Sequence, residues 1–193
     1  MNIQSKIMDK KEEILQTTLQ LIVRQGFHAT PMSQIIEQSG VAAGTIYYYF
    51  KSKEELIHSL YAQLKEEFGS VLKSTPQAGK KYKERFFSIW ENVHRYFIEE
   101  PDKFKFLEQY ANSPLIDRDV RAANTRHYQS AYDFFAEGIE AGVFRSLPVE
   151  LMASLVFGNI VSTVKTELSE ETTLQPGLIN QIIQSSWDGI KIN

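Results

Sequence analysis

The densest set of groups able to recognise a charged partner lies at residues 30–53, TPMSQIIEQSGVAAGTIYYYFKSK. Thr45 offers a hydroxyl, Tyr47 and Tyr48 two phenols, and Gly44 an open stretch of backbone. Ile46 and Phe50 stand four apart and mark a buried helical stripe. At about 100° per residue, Gly44, Thr45, Tyr47 and Tyr48 then fall on the opposite arc. Hydroxyls, phenols and bare backbone suit phosphate oxygens, base edges and the thymine methyl. Lys51 and Lys53 follow at a helix start, where free N–H groups also face anions. Spacing alone leaves a second reading open. A three-tyrosine run also fits a packed amphipathic helix, and helical hairpins with a Gly turn are common.

The elements that must position these groups are helices. Ile14, Leu15, Leu19 and Ile22 predict a helix over about 9–25, stopped by Gly26. Thr30 reads as an N-cap and Pro31 as the first helical residue of a short helix to about Ser39. Gly40-Val41 is a tight turn, and a second short helix spans about 42–49. Ser52-x-x-Glu55 is a capping box opening a long helix to about Lys73, with Leu56, Leu60, Leu64 and Phe68 on its apolar side. Ser74–Lys80 reads as a linker. Further helices are predicted over about 81–99, 102–111, 117–141, 149–168 and 177–190. The fold class is all-α, with nine helices and a small front module.

Composition narrows the chemistry. The 193 residues contain no Cys, which excludes disulfides, thiolate metal sites and cysteine nucleophiles. His28, His58, His94 and His127 are scattered, without an H-E-x-x-H pattern, a Gly-rich phosphate loop or a nucleophile elbow. Glu99-Glu100 and Glu137 with Glu140 read as solvated helix faces. No enzyme, cofactor or metal is expected. The net charge is −3, yet residues 1–53 carry six Lys/Arg against four acids, a mildly basic front. The longest nearly apolar run, Leu151–Val161, is too short to span a bilayer, and the charged N-terminus lacks a signal-peptide pattern. A soluble cytoplasmic protein is expected.

Two short helices joined by a Gly turn form a helix-turn-helix, whose second helix can enter the major groove. Over about Glu12–Leu56, the Gly-Phe after the first helix and the run A-T-x-x-x-I-I-x-x-S-G-V-x-x-G-T-I-Y-Y-Y-F-x-S-K-E-E-L resemble the DNA-binding domain of TetR/AcrR-type transcriptional regulators. The resemblance implies a TetR-like division: a helix-turn-helix domain at 1–55, and a helical ligand-binding and dimerisation domain at 56–193. It implies that Thr30 and Ser33 contact the DNA backbone and that Ala43, Gly44 and Thr45 approach base edges. Tyr47 matches a phosphate-contacting tyrosine, Tyr48 faces bases or thymine methyls, and Tyr49 and Lys53 face phosphates. Ala42, Ala43 and Gly44 supply no Arg, Asn or Gln for bidentate base readout. Apolar, hydroxyl and shape-dependent readout must therefore carry more of the specificity.

Downstream, Phe86, Trp90, Val93 and Phe97 form one apolar stripe, and Tyr128, Ala131, Phe135 and Ile139 another. Each residue taken singly reads as core. Together with polar tips on His94, Tyr110, Tyr128 and Tyr132, the stripes are ring-rich enough to line a pocket. The resemblance implies an inducer site there, and the candidate contacts are Trp90, His94, Phe97, Tyr110, Tyr128, Tyr132 and Phe135. Ser154, Gly158 and Ser162 repeat every four residues, flanked by Leu151, Leu155 and Val161. With Ile179, Ile182, Ile183 and Trp187 on the last helix they fit either intrachain packing or a two-helix dimer face; the resemblance favours a homodimer through a four-helix bundle. The expected function is ligand-responsive transcriptional regulation by repression: release from a pseudopalindromic double-stranded operator by a hydrophobic small-molecule effector, without membrane partners. The competing readings are a helical enzyme and a DNA-binding protein that senses nothing.

Overall fold

The computed structural model describes residues 3–74, 81–113, 120, 125–169 and 174–192. Among these are nine α-helices: α1 (Ile3–Gln25), α2 (Met32–Ser39), α3 (Ala43–Tyr49), α4 (Lys53–Ser74), α5 (Tyr82–Glu99), α6 (Pro101–Ala111), α7 (Gln129–Glu140), α8 (Val149–Leu168) and α9 (Pro176–Ile190). A short 3₁₀ turn, Arg126–Tyr128, leads into α7. Of the expected Ser74–Lys80 linker, Ser74 ends α4 and 75–80 lie outside the described residues, as does the start of the predicted 117–141 helix, Val120 excepted.

The contacts gather into two compact units. The first holds Met1–Glu66 and Asp102–Asn124; the second holds Glu67–Pro101 and Thr125–Asn193. This differs from the expected division at residue 55. Leu56, Ile57, Leu60, Tyr61 and Leu64 of α4 belong to the same buried cluster as Ile14, Ile22, Ile35, Ile46 and Phe50. Phe106 and Tyr110 of α6 complete that cluster, both fully buried. The helix-turn-helix cannot close its core from local sequence alone. Apolar surface left by α1, α2 and α3 is covered by α4 and α6.

In the second unit α5 packs on α8, α7 on α8, and α9 on both α5 and α8. The stripe Phe86, Trp90, Val93, Phe97 is buried as its spacing requires. The second stripe is not. Phe135 is buried, but Tyr128, Ala131 and Ile139 are half-buried, and Phe134 takes an inward position instead. The buried face of α7 is centred on Phe134, Phe135 and Gly138, so Ala131 and Ile139 fall at its edges, while Tyr128 lies in the 3₁₀ turn ahead of the helix. After α7, Gly142 takes a left-handed conformation (φ 67°). Phe144 then lies directly on Gly138, where an added Cβ would stand 2.1 Å from the Phe144 ring. The following segment is tied to the end of α9 by Arg145 N–H to Ile190 O (2.8 Å) and Ile192 N–H to Val143 O (2.9 Å).

Candidate nucleic-acid interface

The turn between α2 and α3 is built from three adjacent residues. Gly40 ends α2 in the left-handed region (φ 65°). Ser39 Oγ donates to Ile36 O and accepts from Val41 N–H, each at 3.3 Å. Val41 fills the core beneath, 3% exposed. The start of α3 is fixed through Ala42, whose carbonyl accepts from Thr45 N–H (2.8 Å) and Ile46 N–H (3.2 Å). Ile46 and Phe50 point inward, 0% and 1% exposed. The other arc faces solvent: Tyr48 is 72% exposed and Tyr47 47%, with Ala43 and Gly44 exposed and Thr45 half-buried. A Cβ on Gly44 would meet nothing within 4 Å, so no internal neighbour requires glycine there. Tyr49 lies between the two faces, half-buried, with its ring against Tyr48 and Phe50.

The flanks of α3 are braced. Glu55 accepts Lys51 N–H (2.6 Å), and Ser52 Oγ accepts Glu55 N–H (3.2 Å), so the start of α4 is capped from both sides. Lys51 is exposed, with Nζ reaching back to Tyr47 O (3.4 Å). Lys53 is half-buried, and its Nζ donates to Phe27 O at 3.0 Å. Two of its three ammonium protons remain for other acceptors. Glu54 is held below the ordinary carboxylate range by hydrogen bonds from its own backbone N–H and from Ser52.

Thr30 departs from expectation. It is fully buried, and its hydroxyl donates to Gly26 O (2.8 Å) rather than capping α2. Pro31, with extended backbone (ψ 156°), is the cap residue, and its carbonyl accepts from Gln34 N–H (3.1 Å) and Ile35 N–H (3.3 Å). The Thr30 side chain therefore faces the protein; Ser33, in the first turn of α2, is exposed. Sequence reasoning missed the bracing of α2 on α1. Gln25 Nε2 donates to Gln34 Oε1 (2.6 Å) and Arg24 to Gln38 Oε1 (3.3 Å). Only the α1–α2 packing brings those side chains together.

The residues expected around an effector divide. Trp90 is fully buried, donates its indole N–H to Asn159 Oδ1 (3.1 Å) and stacks on His94. His94 Nε2 lies 2.8 Å from a Glu167 carboxylate oxygen. Phe97 stacks on Phe68 with ring centroids 5.3 Å apart, and Tyr128 meets the same Phe68 edge-on. Phe135 packs against Phe134 and Phe144. Tyr132 is half-buried, and its phenol is pushed up by burial and then by Glu150. Tyr110 stands apart from the other six. It belongs to the first unit, stacked on Phe106 and packed on Tyr61. Asn159, which interrupts an otherwise apolar run, is the partner the sequence did not connect to Trp90.

Comparison with known proteins agrees along the chain. Residues 14–60 match the family described as bacterial regulatory proteins, tetR family, and residues 81–191 match the tetracyclin repressor-like C-terminal domain. A Haemophilus influenzae protein named as an uncharacterized HTH-type transcriptional regulator is 26% identical, over 95% of this chain and 96% of its own. The fatty acid metabolism regulator protein of Bacillus subtilis is 27% identical, over 94% and 95% respectively. The crystal structure of a tetR family transcription regulator from Shewanella superposes with a TM-score of 0.87 at 26% identity, covering 95% of this chain and 99% of that one. With an exposed recognition helix on a braced helix-turn-helix and family matches over both parts of the sequence, the chain belongs to the TetR family of DNA-binding transcriptional regulators, which are not enzymes.

Proposed function

We propose that this regulator is a homodimeric repressor that leaves a pseudopalindromic operator when a hydrophobic small molecule binds its second unit. The observation that carries the DNA half is the solvent-facing arc of α3. Tyr48 meets Tyr49 edge-on yet leaves 72% of its surface to solvent, far more than packing within the chain asks of a large ring. Ala43, Gly44, Thr45 and Tyr48 meet the bases, while Ser33, Tyr47, Tyr49 and Lys53 meet phosphates. Thr30 acts through the loop it anchors. The dimer half rests on α8, where Leu151 (48% exposed) and Leu155 (55%) flank the exposed Ser154, Gly158 and Ser162. A second copy of α8 and α9 is the occupant. Two recognition helices must then meet successive major grooves, about 34–36 Å apart.

The effector is a long-chain acyl compound or another mainly apolar molecule. The name of the B. subtilis relative supports this class. So does the concentration of aromatic rings in the second unit. Trp90, Phe97 and Phe135 supply apolar walls, and His94, Tyr128 and Tyr132 polar tips; Tyr110 serves the first unit and is left out. Helix α4 is the lever, since it runs from the DNA-facing Lys53 into the second unit at Phe68. A tenfold loss of operator affinity needs about 1.4 kcal/mol of coupling, and operator must weaken effector binding equally. The protein acts in the cytoplasm; no helix among the described residues is long and apolar enough to cross a membrane.

Selection of bound sequences from random duplex DNA, followed by a thermal-shift screen of fatty acids and acyl thioesters, tests both halves. Palindromic half-sites and a raised melting temperature with an acyl compound are expected. A monomer that binds one half-site tightly overturns the dimer. An effector that binds equally with and without saturating operator overturns the coupling.

A further inference from the structure

Phe27 occupies an unusual place in the first unit. Its ring meets Phe106 and Tyr110 of α6 edge-on, with centroids 5.6 and 5.9 Å away. Those two rings stack nearly parallel on each other (7°) and are fully buried, and Tyr110 continues the cluster to Tyr61 and His58 of α4. The other side of the same residue is also held, for Phe27 O accepts from Lys53 Nζ at the start of α4. Phe27 lies in the short loop between α1 and α2. That loop continues to Thr30, whose hydroxyl returns to Gly26 O and closes it. One residue therefore joins α6, the start of α4 and the segment that aims α2 and its exposed Ser33.

We infer that Phe27 is a positioning residue for DNA binding, through which α6 sets the placement of the α1–α2 loop and of the Lys53 ammonium. Phe106 is fully buried and cannot touch DNA itself, so any effect of Phe106 on DNA affinity must travel through its neighbours. A lysine bound to a carbonyl on one side presents its remaining protons in a fixed direction, which is how the Phe27 carbonyl tunes a phosphate contact. Loss of the ring cage frees the loop and the ammonium together, and a phosphate contact then has to order both on binding.

The inference rests on the DNA-reading role of α3 and Lys53. The test uses the full chain and a duplex selected by the wild type from random DNA. Phe27→Leu, Phe106→Leu and the double variant are compared with wild type at a temperature where denaturation curves show each fully folded. Each single variant is expected to lose at least fivefold in affinity. The double variant should lose little more than either single one, because both act through one cage. The dependence of affinity on salt should stay near wild type, since no cation is removed. Affinities within twofold of wild type alongside a lowered melting temperature overturn the inference, as does an additive double variant. If Phe106→Leu does not fold, hydrogen exchange on the wild type decides. Duplex binding should slow exchange in 26–31 and in 102–111 together, and protection confined to 26–49 overturns the link. A wild type that selects no duplex overturns the DNA-reading assignment itself, and this inference with it.

Discussion

Helices α3 and α8 both show large side chains to solvent, and they do so with opposite chemistry. On α3 the exposed groups are phenols on Tyr47 and Tyr48, beside a glycine and a threonine hydroxyl. On α8 they are the aliphatic Leu151 and Leu155, beside Ser154, Gly158 and Ser162. A tyrosine can shed part of its hydration and still hydrogen-bond to a phosphate, so it suits a partner that comes and goes. A leucine gains only when water is excluded for good, so it suits a partner of the same fold. Both helices carry a glycine whose added Cβ would meet nothing within 4 Å: Gly44 on α3 and Gly158 on α8. In neither place does the chain itself ask for glycine. Both leave open space on the outer face, as the proposed approach of a nucleic acid in one case and a helix in the other requires.

The largest effect is expected from breaking the α8 face. Gly158→Glu leaves the single chain intact but buries an unpaired charge in the dimer, at a cost of about 3 kcal/mol or more. Sedimentation should show monomers, and operator affinity should fall by about two orders of magnitude. A variant that stays dimeric removes α8 from the interface.

Gly138 sharpens the point as an internal glycine. Gly138→Ala forces a Cβ to 2.1 Å from the Phe144 ring and should destabilise the fold by about 1–3 kcal/mol, read by denaturant titration. Gly158→Ala should leave monomer stability level or raise it by up to about 1 kcal/mol, as alanine favours a helix. Equal losses at both positions would erase the distinction between filled and open glycines.

On α3 and at the start of α4 the predicted effects are smaller and of two kinds. Tyr48→Ala should leave the melting temperature unchanged while flattening base preference at one or two operator positions by about 1–3 kcal/mol. A base-preference profile identical to wild type would falsify the base-facing assignment. Lys53→Met should weaken binding to every duplex and lower the salt slope by about 0.9. Tyr47→Phe, which removes only a phenol oxygen, should cost about 0.5–1.5 kcal/mol on all sequences alike.

The smallest effect concerns pH. Glu54 has a folded-state pKa below its ordinary value, so it favours the folded state above the unfolded pKa. That contribution is lost as pH falls through the folded value. Glu54→Gln should therefore lower stability slightly near neutrality and flatten its decline below about pH 4.5, read by denaturant titration across that range.

Much of the molecule could be read without coordinates, where the signal is local. Ile14, Leu15, Leu19 and Ile22 mark the inner face of α1 by spacing alone, as Ile46 and Phe50 do for α3. Gly26, Gly40 and Gly142 stop their helices because each must adopt positive φ, a demand on one residue and its immediate neighbours. The outward arc of Gly44, Tyr47 and Tyr48 follows from helical arithmetic once Ile46 is inward. These features depend on residues within two or three turns of each other.

Other features depend on contacts that sequence order conceals. Thr30 looks like a helix cap, yet a carbonyl four residues earlier takes its hydroxyl, because the loop closes on Gly26. Tyr110 carries a polar ring in a part of the chain expected to bind a ligand, and only packing assigns it to the core beneath the helix-turn-helix. Tyr128 falls off the expected stripe because it sits in a 3₁₀ turn ahead of α7, and Ala131 because packing centres the buried face of α7 on Phe134, Phe135 and Gly138. Lys53 meets Phe27, and Trp90 meets Asn159, across 26 and 69 residues of chain. The sequence by itself determined which faces are apolar and where helices stop, since backbone dihedrals and helical periodicity are short-range. Tertiary structure alone decided which apolar faces meet and which polar tips those meetings use up, because burial is shared between segments that no local pattern pairs.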